Sequence, residues 1–264
     1  MILNSAAYED ICDYVILIPQ DLDKLIKNFE LFKRDCVIYC KTDFTPLLFH
    51  HLQFSKRNYI LVTHHSDYII DENRFKTKPS CIKKWFALNP TYVHPDLIAI
   101  PLGTKTPEGR AYHESQYEIN WFVNNILKLR NTKKNVEKVY CNWKITNENR
   151  KIVYDKLIKN VNCYLTSNLS FKEYCEDMAK YQFVISPQGN GIDCHRTWEA
   201  LYMGCFPIVI KNYIYTFWKE LPIIQVNDYS EVTYDLLNLY LNKSYNYSKA
   251  YIHYWKNYIK NFIK

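Results

Sequence analysis

Short apolar runs recur along this chain with amphipathic stretches between them, and that alternation most limits what it folds into. Strands separated by helices build parallel sheets, because a parallel pair needs a crossover connection and a helix supplies one. Tyr14–Pro19 reads as a first strand. Asp21–Lys33 then sets Leu22, Leu25, Ile26, Phe29 and Phe32 at helical spacing, with Asp21 as N-cap. Further strands are predicted at Cys36–Tyr39, Tyr59–Thr63 and Leu97–Pro101, with helices at Thr45–Phe54 and Ser80–Leu88. A helical pattern at Tyr117–Leu129 leads to a polar, basic turn at Asn131–Asn135, where a domain boundary is placed. The second series runs strand Val136–Trp143, helix Asn149–Ile158, strand Cys163–Leu165, helix Phe171–Lys180 and strand Phe183–Ser186. Helix Cys194–Tyr202, strands Phe206–Ile210 and Ile223–Val226, and two closing helices complete it. The expected architecture is α/β: two Rossmann-like halves, residues 1–133 and 134–264, with a cleft between them and ligands outside the carboxyl ends of the strands.

Glycine is scarce, five residues in all, and three of them, Gly189, Gly191 and Gly204, fall within Phe183–Val209. Such a concentration marks backbone that needs positive φ or close approach to a ligand. The segment FVISPQGNGIDCHRTWEALYMGCFPIV reads as strand, glycine loop, helix, glycine stop and strand. Ser186–Gly191 leaves the strand and delivers a helix N-terminus near Asp193, whose free N–H groups and dipole suit a diphosphate. His195 and Glu199 lie four apart on one face, and Arg196 lies three from Glu199. Arg196 suits a bidentate grip on phosphate and Glu199 suits two ribose hydroxyls, while Trp198 and Leu201 point toward the sheet. The plainer reading of Asp193, Arg196 and Glu199 is an N-cap with a helical ion pair. Neither the nucleoside-triphosphatase loop GxxxxGK[ST] nor the dinucleotide fingerprint GxGxxG is present.

These residues resemble the donor-binding motif of exostosin-like glycosyltransferases and related two-domain GT-B enzymes, SPxGNGxDxHRxWEAL followed by GCxPIV. The match spans about a tenth of the chain. The resemblance implies a compact GT-B fold. It also implies sugar transfer, with inversion, from a nucleotide-diphosphate donor to a hydroxyl of a glycan or glycoprotein. Uridine diphosphate is the preferred carrier, and a guanosine-diphosphate fucose enzyme has a similar donor half. By the same resemblance Glu199 holds the ribose, Arg196 the phosphate, and Ser186, Gly189 and Asn190 line the donor, with Gly191 and His195 beside them.

A second cluster, YILVTHHSDYIID at Tyr59–Asp71, follows a predicted strand end and resembles the N-terminal half of the same enzymes. An inverting transferase needs a group that takes the proton from the acceptor hydroxyl. Asp67 is the first choice for that base and His65 the second, with His64 and Ser66 on the acceptor side. The plainer reading is a turn capped by Ser66 and Asp67, with surface histidines. A third stretch, YCNWKITNENR at Tyr140–Arg150, brings Asn142, Thr146, Asn147 and Arg150 to the cleft. There Asn147 caps the next helix, and Arg150 is either a phosphate ligand or a solvated first-turn charge. Ile100–Gly103 reads as a strand-end turn that opens to the cleft. Asp21-Leu22-Asp23 spells the DxD of metal-dependent transferases, but it sits at a helix start, where acidic residues are favoured by the dipole. No metal and no cofactor are therefore expected; arginine and the helix N-terminus take the metal's place.

The net charge is +7, from 34 basic and 27 acidic residues, and there are 24 tyrosines. A nucleic-acid-binding protein would gather such residues on one face. Here the lysines are scattered, the densest group being Lys256, Lys260 and Lys264, and the tyrosine excess matches the Tyr, Ile, Asn and Lys bias of an AT-rich coding sequence. No nucleic-acid partner is expected. Nine cysteines without CxxC spacing fit a reducing compartment, and Cys36 and Cys40 read as small core residues on one face of a strand. Met1–Asp10 lacks a signal pattern and no apolar run reaches membrane-spanning length, so a cytoplasmic protein is expected, in a host cytoplasm if the composition reflects a viral origin. The short acceptor-side half leaves room for a homodimer. A non-catalytic binding module of the same fold is the alternative to the enzyme.

Overall fold

The computed structural model describes residues 1–28, 30–105, 112–145, 148–157 and 162–263. It is an α/β protein with two five-stranded sheets, each parallel throughout. The chain divides into two compact units. One comprises Met1, Leu3–Leu102 and Tyr251–Lys264; the other comprises Ile2 and Gly103–Ala250.

In the first unit, strands β1 (Tyr14–Ile16), β2 (Cys36–Lys41), β3 (Tyr59–His64), β4 (Ile82–Ala87) and β5 (Leu97–Ala99) lie side by side in chain order. Winding in one direction with right-handed crossovers places the connecting helices on a single face. Those helices are α2 (Pro19–Lys27), α3 (Thr45–Leu52) and α4 (Glu72–Lys76). Their Leu22, Leu48, Phe49, Leu52 and Phe75 share one core with Cys36, Ile38, Cys40, Leu61 and Trp85. The opposite face needs another cover, and the C-terminus brings it. Helix α10 (Ile252–Lys260) packs on α1 (Ser5–Glu9), and the rings of Tyr258 and Phe262 approach Phe86 at 5.8 and 5.9 Å.

Burial on both faces explains the main correction to the sequence reading. Ser80–Leu88 is not a helix; Ile82–Ala87 is strand β4, and the helix of this region is α4, ahead of it. Trp85, Phe86 and Ala87 are buried in succession because the strand has no solvent side, so period-2 alternation is lost and the run mimics helical spacing. Asp21 also works differently from expectation. Ile18 is the N-cap, Pro19 opens the helix, and the Asp21 carboxylate accepts the N–H groups of Leu17 and Ile18 at 3.0 and 3.1 Å. The helix ends at Lys27, and Phe29 lies outside the described residues.

The second unit contains helix α5 (Tyr112–Arg130), strand β6 (Asn135–Cys141), α6 (Glu148–Leu157), β7 (Cys163–Leu165), α7 (Phe171–Met178) and β8 (Tyr181–Ile185). Then follow α8 (His195–Tyr202), β9 (Phe206–Ile210), β10 (Ile224–Val226) and α9 (Tyr234–Leu241). The strand order is β10-β9-β8-β6-β7, so the chain steps one way from β6 to β7 and then back past β6 to β8. Leu157 of α6 and Leu237 of α9 share a core with one face of the sheet, Val139, Cys141, Phe183, Ile185 and Ile208. Helix α5 packs on α7, and the Arg130 guanidinium covers the Tyr247 ring at 4.6 Å. These contacts place α5 with the second sheet, so the compact units part at Leu102 and Gly103, ahead of the boundary expected at residue 133.

Gly204 stops α8 in the left-handed region, at φ 74°, as the sequence pattern implies. A Cβ there meets Arg130 Cγ at 3.1 Å. Gly204→Ala is expected to lower the unfolding free energy by about 1–2 kcal/mol, the cost of left-handed backbone for an L-residue. Urea unfolding followed by tryptophan fluorescence measures it, and an unchanged midpoint refutes the assignment.

Candidate functional site

In a parallel sheet the crevice for a ligand opens where the winding reverses, because the loops after the two flanking strands diverge to opposite faces. In the second unit that point lies between the carboxyl ends of β6 and β8, neighbours paired through Val139↔Phe183 and Tyr140↔Val184. The strand ends deliver Asn142 and Trp143 from β6, and the glycine loop from β8. Arg150 reaches the crevice from α6 and Arg196 from α8.

Arg150 is tied to the loop it serves. Its Nε donates to the carbonyl of Gln188 at 3.0 Å and an Nη to that of Lys144 at 3.2 Å. Its other terminal nitrogen lies 3.3 Å from where a Cβ on Gly189 would stand. Gly189 therefore serves close approach. Positive φ, the other reason to retain glycine, applies among the described glycines to Gly103 and Gly204 only. Burial, and after it the like charge of Arg196, pull the Arg150 guanidinium below its ordinary value. Arg196 makes no ion pair among the described residues, not even with Glu199 one turn on, and its buried Nε has no hydrogen-bond partner among them. The helical ion pair offered as the plain reading does not form.

The start of α8 is locked from beneath. Asp193 accepts the Cys194 N–H at 2.9 Å and the Trp198 indole N–H at 2.7 Å. Ser186 is buried, and its hydroxyl meets Cys194 Sγ at 3.0 Å and Thr197 Oγ1 at 2.9 Å, so it braces the loop against the helix. The His195 imidazole donates through Nδ1 to the carbonyl of Gly103 at 2.7 Å, which joins the IPLG turn to the helix start. Glu199 is buried and accepts the Tyr174 hydroxyl at 3.0 Å; burial, then the Glu199 charge, hold that phenol well above its ordinary value, so it stays a donor. Asn142 donates to the Tyr140 hydroxyl at 3.2 Å. Asn190 is exposed and Gly191 buried, while Thr146 and Asn147 lie outside the described residues.

In the first unit, His64, His65, Ser66 and Asp67 follow the central strand β3, but they differ in what holds them. His64 is buried; its Nδ1 accepts the His65 N–H at 2.9 Å, which leaves Nε2–H to donate to the carbonyl of Leu102 at 3.2 Å. Ser66 accepts the Tyr68 N–H at 3.3 Å, as a turn residue does. Asp67 is exposed and has no hydrogen bond or ion pair among the described residues. His65 stands at φ 61°, a conformation costly for a residue with a Cβ, and its Nε2 lies 3.2 Å from Glu9 Oε1. A carboxylate facing one ring nitrogen orients the imidazole and favours the tautomer with its proton on that nitrogen. Glu9, 56 positions earlier, went unnoticed in the sequence, as did Tyr174.

Among the described residues no group of three His, Cys, Asp or Glu side chains is placed to hold a metal ion, and no helix is long and apolar enough to cross a membrane. Two guanidiniums, a close-approach glycine and a helix N-terminus lie at the reversal of the second sheet, groups of the kind that suit an anion. Gly189→Ala is expected to leave the urea unfolding free energy within about 0.5 kcal/mol of wild type, since only the tip of a flexible side chain must move. The same substitution should weaken inorganic pyrophosphate binding several-fold in calorimetry; unchanged affinity would remove Gly189 from the site. No protein-family model matches the chain, and no curated protein matches it in sequence.

Proposed function

We propose that this protein is a glycosyltransferase of GT-B type, moving a sugar from a nucleoside-diphosphate donor to a hydroxyl acceptor with inversion. The observation that carries the reading is the pair of guanidiniums at the reversal of the second sheet: burial and the like charge of Arg196 pull Arg150 below its ordinary value, and Arg196 Nε is buried without a hydrogen-bond partner among the described residues. Like charges in a crevice repel and lose hydration, and a diphosphate relieves both costs. The resemblance of Ser186–Val209 to exostosin-like enzymes supplies the sugar and the preference for uridine diphosphate.

Arg150 and Arg196 neutralise the donor's phosphates, and the N-terminus of α8 adds its dipole. Together they stabilise the charge that builds on the departing diphosphate, without a metal. Glu199, oriented by Tyr174, takes the ribose hydroxyls, with Asn142 and Asn190 along the donor and His195 bracing the helix start. The proton of the attacking hydroxyl goes to His65. Glu9 faces its Nε2 and orients the ring, whereas Asp67 has no orienting hydrogen bond or ion pair among the described residues.

Thermal unfolding with uridine, guanosine, cytidine and thymidine diphosphates, without metal, tests the donor. A ligand present at a hundredfold its Kd stabilises the folded state by about 2.7 kcal/mol, a rise of several degrees. Arg196→Gln should abolish that rise; no rise with any of the four in wild type sinks the reading. With the donor identified, His65→Asn should slow release of nucleoside diphosphate from the nucleotide sugar by about 10²-fold or more, the usual weight of a general base. Glu9→Gln should give part of that loss and Asp67→Asn less than about threefold. A dead Asp67→Asn with an active His65→Asn would return the base to Asp67, and donor binding without turnover would make the protein a binding module.

A further inference from the structure

His64 closes the central strand β3, paired with Lys41 of β2, and it is 3% exposed. Both of its ring nitrogens are committed to backbone. Nδ1 accepts the N–H of His65 at 2.9 Å, so the ring proton sits on Nε2 and faces the carbonyl of Leu102 at 3.2 Å. The carbonyl of His64 accepts the Thr42 hydroxyl at 3.3 Å, and the Tyr8 ring lies 5.7 Å from the imidazole. A histidine held on both nitrogens acts first on the chain around it.

The bond to His65 falls where the chain needs it. His65 stands at φ 61°, in left-handed backbone that costs a residue with a Cβ about 1–2 kcal/mol, and such a conformation persists only where its surroundings over-determine it. The sheet ceases to supply that constraint here, since β3 pairs with β4 as far as Thr63↔Ala87 and with β2 as far as Lys41↔His64. One residue later the His64 imidazole takes over, by fixing the peptide plane that leads into His65. On the side chain, the Glu9 carboxylate meets Nε2 at 3.2 Å and the Tyr39 ring stands edge-on at 6.3 Å. Backbone and imidazole are thus held separately, and the aim of the His65 ring depends on both.

We propose that His64 is a positioning residue for His65: by accepting the His65 N–H on Nδ1, it holds the left-handed turn that keeps the His65 imidazole on Glu9. The proposal rests on the reading of His65 as the base and extends it from the side chain to the backbone beneath. His64 acts through His65 and touches no reacting atom. Loss of its hold therefore slows the chemical step and spares donor binding, which the second unit supplies.

Two amides separate the two bonds of the ring. Asparagine places an acceptor at the δ position, within reach of the His65 N–H, and is too short for Leu102. Glutamine places a donor at the ε position, toward Leu102, and leaves the δ position without an acceptor. With the donor identified, His64→Gln should lower kcat for release of nucleoside diphosphate by about tenfold or more, with the donor KM within about twofold of wild type. His64→Asn should stay within about threefold of the wild-type kcat, a rescue that a bracing role alone does not give. Equal loss in both variants, or an active His64→Gln beside a dead His64→Asn, overturns the assignment and leaves the ring a brace to Leu102. A measurement without substrate stands beside these: long-range proton–nitrogen NMR of the wild type at neutral pH should find the His64 proton on Nε2. A proton on Nδ1 overturns the proposal whatever the variants do. Full activity in His64→Gln with a dead His65→Asn removes this proposal alone. An active His65→Asn, or a wild type that binds no nucleoside diphosphate, removes it together with the reading beneath.

Discussion

The reversal of winding between β7 and β8 is the constraint on which the candidate site depends. Because β6 and β8 are neighbours while their following helices go to opposite faces, no connection closes the space above their carboxyl ends. Arg150 comes from α6 on one face and Arg196 from α8 on the other, and this topology lets two arginines 46 positions apart share one crevice. The first unit winds in one direction only and has no such reversal. What it offers instead is the end of its central strand, where a left-handed His65 turns its imidazole to Glu9.

The crevice is expensive to maintain. A folded chain ordinarily pairs its buried polar atoms, and each one left alone costs on the order of 1–3 kcal/mol against a net stability of roughly 5–15. Around it the structure is unusually well tied. The Asp193 carboxylate is bonded to both the backbone and an indole, Ser186 meets Cys194 and Thr197, and Tyr174 holds Glu199. The satisfied network braces the helix start, whereas Arg196 Nε is buried without a hydrogen-bond partner among the described residues. That division is expected where rigidity must position groups whose partner is not part of the chain.

Much of this was legible in the sequence where the signal is local. The segment Phe183–Val209 holds its strand, loop, helix, stop and strand within a few residues of the expected bounds, because glycine, N-terminal polarity and apolar spacing act over short distances. Trp198 and Leu201 are fully buried, and Cys36 and Cys40 are small core residues of one face, both as the spacing implies. Strand β4 was misread because burial on both faces erases alternation. The compact units part at Leu102 and Gly103 and not at the linker-like loop Asn131–Asn135, because α5 packs on α7 and its Arg130 covers the Tyr247 ring. Glu9 and Tyr174 carry no local mark at all. Each matters through a partner brought near by the fold, 56 positions away for Glu9 and 25 for Tyr174.

Glycine shows how one sequence signal can stand for two different requirements. The scarcity argument pointed to Gly189 and Gly204 together, as if one backbone requirement served both. Gly204 does occupy the left-handed region and ends a helix. Gly189 does not; its missing Cβ makes room for the Arg150 guanidinium. One glycine shapes the chain and the other clears a place for a charge. A glycine loop beside an arginine is thus informative in a sequence even when no turn requires it, provided that the topology carries the arginine to the loop. Here the β6–β8 reversal does so.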